Sequence, residues 1–270
     1  MDTLTIVKAG GAAIDRPEAL GRFLSDFVRI SGRKMLVHGG GALASEMLDR
    51  TGIPALMREG RRITDGETLK ICTMVYAGWI NKTIVARLQA LHCNAVGLSG
   101  ADGNVVTAVR RRPVPVDFGY AGDVSPAGVE VSTLASFMEQ GLTPVLCAIT
   151  HDGQGGLLNT NADTLATTLA VALAKTATVR LIFCFDRSGV LADPSDEASV
   201  IPSLSPADFH ALKSAGVIAG GMLPKLDGAF AAVAAGVSEV YIKHAGHLLS
   251  TQGTAICRPP DDDHASPSSL

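Results

Sequence analysis

Short apolar runs alternate with longer segments of helical spacing along the first part of the chain. Residues 4–7 and 34–37 have the length and composition of buried strands. Between them, apolar residues recur every three or four positions, as on one face of a helix: Ala19, Leu20, Phe23, Leu24, Phe27 and Val28. Asp15 and Glu18 predict an N-terminal cap for this helix. The order strand, helix, strand predicts a βαβ unit with parallel strands.

The same alternation continues along the rest of the chain. Helices are predicted at residues 43–48 and 226–235, and a further helix rich in alanine and leucine begins at Leu165. Residues 105–116 and 129–131 are typical of hairpins. Additional strands are predicted at residues 94–98, 143–149, 179–185, 240–242 and 254–256. The pattern therefore predicts an α/β fold built around a parallel sheet.

A third helix, capped by Thr64-Asp65-Gly66-Glu67, is apolar on every side. Its apolar residues do not fit one stripe: Ile71, Cys72, Met74, Val75, Tyr76, Ala77, Trp79 and Ile80. A helix that is apolar all round is buried all round. Two explanations remain open, which are burial in the core of a large domain and contact of one face with a second subunit.

The length and composition suit one large α/β domain or two small lobes. The chain has 270 residues, of which 47% are hydrophobic. We place a boundary near Ala174, with an N-terminal lobe of residues 1–174 and a C-terminal lobe of residues 175–257. Residues 258–270 are rich in proline, aspartate and serine without an apolar pattern, so we predict a disordered tail.

Charge and cysteine usage exclude several classes of protein. A net charge of -3 and a pI of about 6.1 give no electrostatic reason to expect a nucleic-acid partner, and Arg110-Arg111-Arg112 is interpreted as a solvated hairpin tip. The five cysteines are scattered, without a Cys-x-x-Cys pair or histidines at ligand spacing, which predicts free thiols and no protein metal site. Without a signal peptide or a membrane-spanning run, we expect a cytoplasmic protein with no membrane partner.

Two predicted strands end directly in glycines, which places bare backbone N–H groups where phosphates bind at the edge of a sheet. The two turns are Lys8-Ala9-Gly10-Gly11 and His38-Gly39-Gly40-Gly41. An ammonium group at the end of an apolar strand is costly unless an anion meets it. Lys225 follows Gly220-Gly221 at a predicted helix start, where the macrodipole disfavours a cation. Together the two lysines indicate a site for a highly charged phosphate chain.

The second glycine turn also allows a dinucleotide-binding interpretation. Gly39, Gly41 and Ala44 satisfy the fingerprint G-x-G-x-x-G/A, and Glu59 lies near the offset of a ribose-binding acid. The match is weak because that acid should end a second clean strand, whereas residues 53–57 contain a proline. This interpretation also leaves both lysines without a role.

Several polar residues suit a small anionic substrate. Asp163 is either a dipole partner in the first turn of a helix or a carboxylate that orients both ammonium groups. Asn159 and Asn161 flank it on an apolar approach, and each offers a donor and an acceptor. Arg62 is either a solvated loop charge or a fork that binds a carboxylate through two hydrogen bonds. We interpret His38 as a packed residue at a strand end rather than as an acid or a ligand.

The absence of a dedicated general base in this set points to the acceptor. An alcohol would need a base to remove its proton, whereas a carboxylate, with a pKa of about 4.3, is already ionised at neutral pH. The chain therefore suits phosphorylation of a carboxylate, with Lys8, Lys225, Mg²⁺ and glycine amides stabilising the transferring phosphoryl group.

At these residues the chain resembles the amino acid kinase family, and within it the enzymes that act on N-acyl-glutamate in arginine biosynthesis. The resemblance runs from Ile6 to Ile256 and rests on six motifs in family order: Lys8-Ala9-Gly10-Gly11, His38-Gly39-Gly40-Gly41, Arg62-Ile63-Thr64, Asn159-Thr160-Asn161-Ala162-Asp163, Asp186-Arg187-Ser188-Gly189-Val190-Leu191 and Gly221-Met222-Leu223-Pro224-Lys225. It implies a three-layer αβα sandwich with a mainly parallel open sheet, one lobe for the acyl amino acid and one for ATP.

The resemblance also implies a role for each motif residue. Lys8 and Lys225 would stabilise the transferring phosphoryl group, and Asp163 would organise the two lysines. Substrate-binding roles fall to Arg62, Asn159, Asn161, Gly39, Gly40 and Gly41. Nucleotide-binding roles fall to Gly10, Gly11, Asp186, Gly189, Gly221 and Met222. ATP and an N-acyl-L-glutamate are the implied substrates, with Mg²⁺ as cofactor.

Alternatives to this interpretation concern the acceptor of the phosphoryl group and the loss of transfer. The stretches Arg61 to Lys70 and Met74 to Tyr76 resemble a divergent bacterial subgroup rather than the commonest form of the family, so an N-succinyl substrate is an alternative to the N-acetyl one. Carbamate, aspartate and glutamate are other acceptors of this fold. A nucleotide-binding regulator that has lost phosphoryl transfer is a further alternative, but the presence of Lys8, Asp163 and Lys225 argues against it.

Because the first strand begins almost at Met1, where hexameric, arginine-inhibited relatives carry an extra helix, we expect a homodimer without arginine feedback.

Overall fold

The computed structural model describes residues 3–58 and 60–258. Two expectations fall on other residues. Glu59 lies outside the described residues, and so does the predicted disordered tail apart from Arg258.

Fourteen strands form along the described chain. Their bounds are β1 (Leu4–Ala9), β2 (Lys34–His38), β3 (Met57–Arg58), β4 (Arg61–Arg62), β5 (Ala95–Leu98), β6 (Val106–Arg110), β7 (Ala121–Val129), β8 (Thr143–Cys147), β9 (Ile149–His151), β10 (Leu157–Thr160), β11 (Val179–Phe185), β12 (Ser203–Leu204), β13 (Glu239–His244) and β14 (Thr254–Ile256). Eight of them make one sheet in the order β12-β14-β13-β11-β1-β2-β8-β5. All neighbours in it run parallel except β13 and β14.

Helices cover both faces of this sheet. Their bounds are α1 (Gly11–Ile14), α2 (Pro17–Val28), α3 (Gly41–Arg50), α4 (Gly66–Thr73), α5 (Asn81–Ala90), α6 (Val131–Glu139), α7 (Ala162–Leu173), α8 (Pro206–Ser214) and α9 (Met222–Ala234). Side chains of β1 alternate between two cores, with Leu4 and Ile6 packed beside α7 and α9 and with Val7 and Ala9 packed beside α2 and α5. The predicted three-layer αβα sandwich with a mainly parallel sheet is confirmed.

A small closed barrel of β10, β7, β6 and β9 stands beside the sheet. The predicted hairpin is right only in part, because β6 pairs antiparallel with β7, whose residues precede the predicted 129–131 except for Val129. Val131 begins α6 instead of extending the hairpin as predicted, since Leu134 and Met138 carry a helical face onto the sheet. The predicted solvated tip is only partly right, because Arg111 pairs with Asp123.

Several helices begin at other residues than predicted. Helices α3, α7 and α9 start at Gly41, Ala162 and Met222, two to four residues before the predicted starts. Asp15 does not cap α2, because Pro17 stands at the first helical position and makes Arg16 the N-cap. The predicted cap of the third helix is confirmed, since the Asp65 side chain accepts a hydrogen bond from the Thr68 amide at 2.8 Å.

The predicted apolar helix is three consecutive segments rather than one regular helix. Between α4 and α5 the residues Met74–Ile80 form a π-helix, which changes the face that each side chain occupies. Tyr76 and Ile80 are buried, whereas Met74 is 59% and Trp79 69% exposed. The expectation that this whole segment is buried in the core of one chain is therefore wrong.

Among the described residues, no helix is long and apolar enough to cross a membrane.

Candidate active site

The carboxyl edge of the central strands brings distant parts of the chain together. Strand β1 lies between β2 and β11, so Lys8, the glycine turn after β2 and Phe185 at the end of β11 meet at one edge. Helix α7 has Asn161 as its N-cap and carries Asp163 in its first turn. Helix α9 contributes Lys225 to the same place, because its ammonium group lies 3.7 Å from the centre of the Phe185 ring.

Asp163 lies between the two lysines. Its Oδ1 is 2.7 Å from Lys8 Nζ, and its Oδ2 is 4.0 Å from Lys225 Nζ. The closer contact is an ion pair without hydrogen-bond alignment, since Oδ1 accepts no hydrogen bond within the described chain. The Lys8 side chain is 10% exposed and that of Asp163 21%. One carboxylate therefore faces two ammonium groups, which leaves a local excess of positive charge for an anion.

Burial and neighbouring charges act against each other on Lys225. Burial lowers the pKa of Lys225 below its usual value, and the nearby Lys8 ammonium lowers it further. The carboxylates of Asp163 and Asp186 raise the pKa of the same group. Loss of either carboxylate would therefore lower the pKa of Lys225 and destabilise its charged form.

Phe185 supports both lysines and has no catalytic signature in the sequence. Lys8 Nζ lies 5.1 Å from the ring centre, and Lys225 Nζ packs more closely on the same ring. Cations over an aromatic face are stabilised by about 0.5–2 kcal/mol according to their exposure. The only sequence signal was its place at the end of a predicted strand, just before Asp186.

A cavity of about 170 Å³ opens at the start of α7, where Asn161 and Ala162 line it. Arg62 lines it and is 7% exposed. Its Nη2 donates hydrogen bonds to the Gly41 carbonyl oxygen at 2.9 Å and to Ser45 Oγ at 2.7 Å. Nη1 is buried and has no hydrogen-bond partner within the described chain. A buried guanidinium nitrogen without a partner fits an anionic ligand in this cavity.

The two asparagines have different local roles. Asn159 Nδ2 donates to Thr64 Oγ1 at 3.0 Å, and Thr64 Oγ1 in turn donates to the Arg62 carbonyl oxygen at 3.0 Å. Asn161 Oδ1 accepts from the Thr164 amide at 3.0 Å, which caps α7. Both line the cavity, so Asn159 orders the arginine segment and Asn161 orders the helix that carries the central carboxylate.

The glycine turn after β2 closes the cavity on the side of the sheet. Gly39, Gly40 and Gly41 line the cavity, and Gly40 has a φ of 157°. A Cβ on Gly40 would lie 2.3 Å from Ile80 Cδ1 and 2.8 Å from Tyr76 Cδ1. Only glycine fits there, because the π-helix packs against the turn. Neither the contribution of the π-helix nor that of Tyr76 had a local sequence signal.

His38 is structural, as predicted. Its side chain is fully buried, its Nδ1 lies 2.8 Å from the Gly39 carbonyl oxygen, and its Nε2 lies 3.1 Å from Asn81 Nδ2. Burial, with the positive charge of Lys82, lowers the pKa of His38 to about 4. The ring is therefore neutral near pH 7.

A wider cleft of about 760 Å³ holds part of the predicted nucleotide set. Gly11 and Asp186 line it together with Lys8 and Lys225. The Gly10 amide donates instead to the Cys184 carbonyl oxygen at 2.9 Å, so that N–H already has a backbone partner. A Cβ on Gly10 would lie 2.6 Å from the same oxygen, so its small size serves packing against β11, and its nucleotide-binding role stays a prediction.

The other three residues predicted for the nucleotide lie outside the lining of this cleft. Gly189 is buried, and a Cβ there would lie 2.8 Å from Thr254 Oγ1, so its small size serves packing. Gly221 is the exposed N-cap of α9. Met222 packs against the hydrophobic core. Their nucleotide-binding roles also stay predictions.

The dinucleotide-binding interpretation finds no support in the topology. Strand β3, which precedes the proposed ribose-binding acid, pairs with β4 in a separate two-stranded sheet and is not part of the main sheet.

The five cysteines are free thiols, four of them buried. No group of three or more potential metal ligands occurs within the part of the chain that the structure describes.

Comparison with known proteins agrees with this geometry. A protein named acetylglutamate kinase from Cytophaga hutchinsonii is 51% identical over 92% of this chain and 94% of its own length. Another of that name from Phocaeicola vulgatus is 48% identical over 94% of this chain and 98% of its own. The solved structure of smu.665 from Streptococcus mutans UA159 has a TM-score of 0.80 at 28% identity, covering 94% of this chain and 98% of that one. Residues 3–244 match the amino acid kinase family over nearly the whole fold, and the chain belongs to that family.

Proposed function

We propose that this chain transfers the γ-phosphoryl group of ATP to the γ-carboxylate of N-acetyl-L-glutamate, a step of arginine biosynthesis. The product is N-acetyl-L-glutamyl 5-phosphate. The observation that carries the proposal is the Lys8–Asp163–Lys225 arrangement beside a cavity lined by Arg62. The shared name of the two relatives supports the choice of acceptor.

The chemistry needs no general base. The acceptor carboxylate is ionised at neutral pH, so one of its oxygens attacks the γ-phosphorus directly. The bond from phosphorus to the bridging oxygen breaks, and its electron pair leaves on the β-phosphate of ADP. Lys8 and Lys225 offset the negative charge that accumulates on the phosphoryl oxygens, and Asp163 keeps the two ammonium groups in place.

The acceptor side is assigned to residues that line the smaller cavity. Arg62, ordered by Asn159 through Thr64, would bind the α-carboxylate, and Asn161 would bind a polar group of the substrate. Gly39, Gly40 and Gly41 would lie against the γ-carboxyl end and the γ-phosphate. All of these residues belong to residues 1–174, which we propose as the acyl-amino-acid lobe.

The nucleotide side is assigned to the wider cleft, to which residues 175–257 contribute Phe185, Asp186, Lys225 and His244. Gly10, Gly11 and Asp186 line that cleft, and Gly189, Gly221 and Met222 complete the proposed set. Asp15, which is exposed, also lines the cleft, so carboxylate oxygens are present where Mg²⁺ would arrive with ATP. When bound, Mg²⁺ would neutralise phosphate charge.

The cysteines are free thiols, which suit a reducing compartment, so we propose that the reaction takes place in the cytoplasm.

Hydroxylamine trapping tests the activity directly. Incubation with ATP, Mg²⁺ and N-acetyl-L-glutamate is expected to give an acyl phosphate that hydroxylamine converts into a hydroxamate. N-succinyl-L-glutamate, glutamate, aspartate and carbamate, compared by kcat/KM, decide among the other acceptors of this fold. ATP binding without hydroxamate from any of them would instead support a nucleotide-binding regulator.

Replacement of Arg62 with lysine is expected to raise the KM for N-acetyl-L-glutamate by about tenfold or more, with a smaller change in kcat. One ammonium group cannot hold the Gly41 carbonyl oxygen and also reach a substrate carboxylate, whereas the guanidinium has separate nitrogens for the two tasks. Steady-state kinetics measure the effect. Arg50→Lys, in an exposed ion pair with Glu46, is the matched control, and an unchanged KM for Arg62→Lys would contradict the assignment.

A homodimer is part of the proposal, through the face that carries Met74 and Trp79. These two large apolar side chains are more than half exposed on the π-helix. Trp79→Glu is therefore expected to convert a dimer into a monomer in sedimentation experiments. Val109→Glu changes a similarly exposed apolar residue on β6 and should leave the dimer intact. A wild-type monomer, or a dimer that survives Trp79→Glu, would exclude this interface.

A further inference from the structure

The strand that precedes the second glycine turn ends in a buried side-chain network. His38 and Asn81 have no solvent exposure, although both carry polar groups. The imidazole contacts the Gly39 carbonyl oxygen through Nδ1 and the Asn81 amide through Nε2, at 2.8 and 3.1 Å. Buried polar groups need partners, and this pair connects α5 to the floor of the proposed acceptor cavity.

The orientation of the Asn81 amide follows from its other two contacts. Its Nδ2 lies 2.9 Å from the Val145 carbonyl oxygen, which can only accept a hydrogen bond. Its Oδ1 lies 3.1 Å from Lys82 Nζ, which can only donate while it is charged. The amide nitrogen therefore faces both Val145 and the imidazole.

The proton on the imidazole is assigned by the same logic. Because Asn81 donates to Nε2, that nitrogen is the acceptor and Nδ1 carries the hydrogen. Nδ1–H then donates to the Gly39 carbonyl oxygen. The asparagine thus selects one of the two neutral tautomers of His38.

This hydrogen bond orients a peptide group of the cavity. In a trans peptide the C=O and the following N–H point in opposite directions. With the Gly39 oxygen held by the buried imidazole, the N–H of Gly40 is turned away from the imidazole, and Gly40 lines the cavity. A Cβ on Gly40 would meet Tyr76 and Ile80, so these side chains limit any rotation of the turn.

We infer that Asn81 and His38 are positioning residues that hold the Gly39–Gly40 peptide with its N–H aimed at the acceptor carboxylate and the transferring phosphoryl group. The inference rests on the proposed function for the identity of that anion. The arrangement resembles an oxyanion hole, in which a fixed backbone donor stabilises charge that develops in the transition state.

Two substitutions separate positioning from packing. The side-chain nitrogen of His38→Asn falls near the position of Nδ1 and can still donate to Gly39, whereas that of His38→Gln falls near Nε2 and cannot. We expect kcat of His38→Gln to be at least about tenfold below that of His38→Asn, with similar KM values for N-acetyl-L-glutamate. Leu36→Val, on the same strand and fully buried, is the control for lost core volume and should keep its kcat. Equal kcat values for the two His38 variants, per folded enzyme, would overturn the inference.

A second measurement needs neither turnover nor a variant. Nitrogen-15 correlation spectra of the histidine rings in the wild-type chain are expected to show His38 as the neutral Nδ1–H tautomer at pH 7. The Nε2–H tautomer or a charged ring would overturn the inference even if both variants fail to fold. A wild-type chain with no turnover of N-acetyl-L-glutamate but with the expected tautomer would refute the proposed function alone.

Discussion

Replacement of Lys8 with alanine is expected to lower kcat by about 10²–10³-fold, the typical loss when one preorganised group that stabilises transition-state charge is removed. Lys8 is nearly buried, 2.7 Å from Asp163, so its ammonium acts in a region of weak solvent screening. Without it, Asp163 faces the incoming phosphoryl group with only the more distant Lys225 to balance its charge. Single-turnover formation of the acyl phosphate measures the chemical step directly.

Two variants separate the charge of Lys8 from its packing. Lys8→Met keeps the length of the side chain and its contact with Phe185 but has no charge, so it should lose as much kcat as Lys8→Ala. Lys70→Ala removes an exposed lysine from a surface ion pair and should keep its kcat. Wild-type kcat in Lys8→Ala, or recovery in Lys8→Met, would show that the ammonium does not act on the phosphoryl group.

Replacement of Asp163 with asparagine is expected to lower kcat by about 100-fold and to narrow the pH range of activity. The two ammonium groups lose their shared counterion and repel each other. Because Asp163 raises the pKa of Lys225, its removal lowers that pKa. The charged form of Lys225 exists below its pKa and is lost as the pH rises through it, so activity in the variant should decline at a lower pH than in the wild type.

The pH profile of kcat from neutral to alkaline pH tests the second effect. Asp26→Asn removes a carboxylate from an ion pair on the surface of α2 and should leave the profile unchanged. An alkaline limb that does not move in Asp163→Asn would exclude Lys225 as the titrating group. If the alkaline limb shifts in Asp163→Asn but kcat at neutral pH is unchanged, Asp163 affects only the pKa of Lys225 and is not needed for phosphoryl transfer itself.

The roles of Asp163, Lys8 and Lys225 could be proposed from the sequence because each has an unfavourable or informative local setting. A lysine at the end of an apolar strand and another near the positive end of a helix both require an anion. Spacing alone could not tell whether Asp163 was a helix partner or a partner of the lysines. The structure brings it to both lysines, and Asn161 caps the helix that carries it.

Other parts of the site depend on packing that no local pattern records. Phe185 looked like the end of a buried strand, yet its ring supports both ammonium groups because β11 is the neighbour of β1. Tyr76 belongs to a segment that was predicted to be a regular helix, but it forms a π-helix in which the Tyr76 ring packs against Gly40. The partner of His38 is Asn81, which follows that π-helix in α5.

By itself, the sequence determined the α/β class, seven of the eight strands of the main sheet, the glycine turns and the charged residues that need an anion. Hydrophobic periodicity and capping act over a few residues, so the chain records them locally. Only the tertiary structure decided which strands are neighbours, and with them the distance from Asp163 to each lysine and the hydrogen-bond partners of His38. Those relations join residues far apart in the chain, and the packing of whole helices against the sheet sets them.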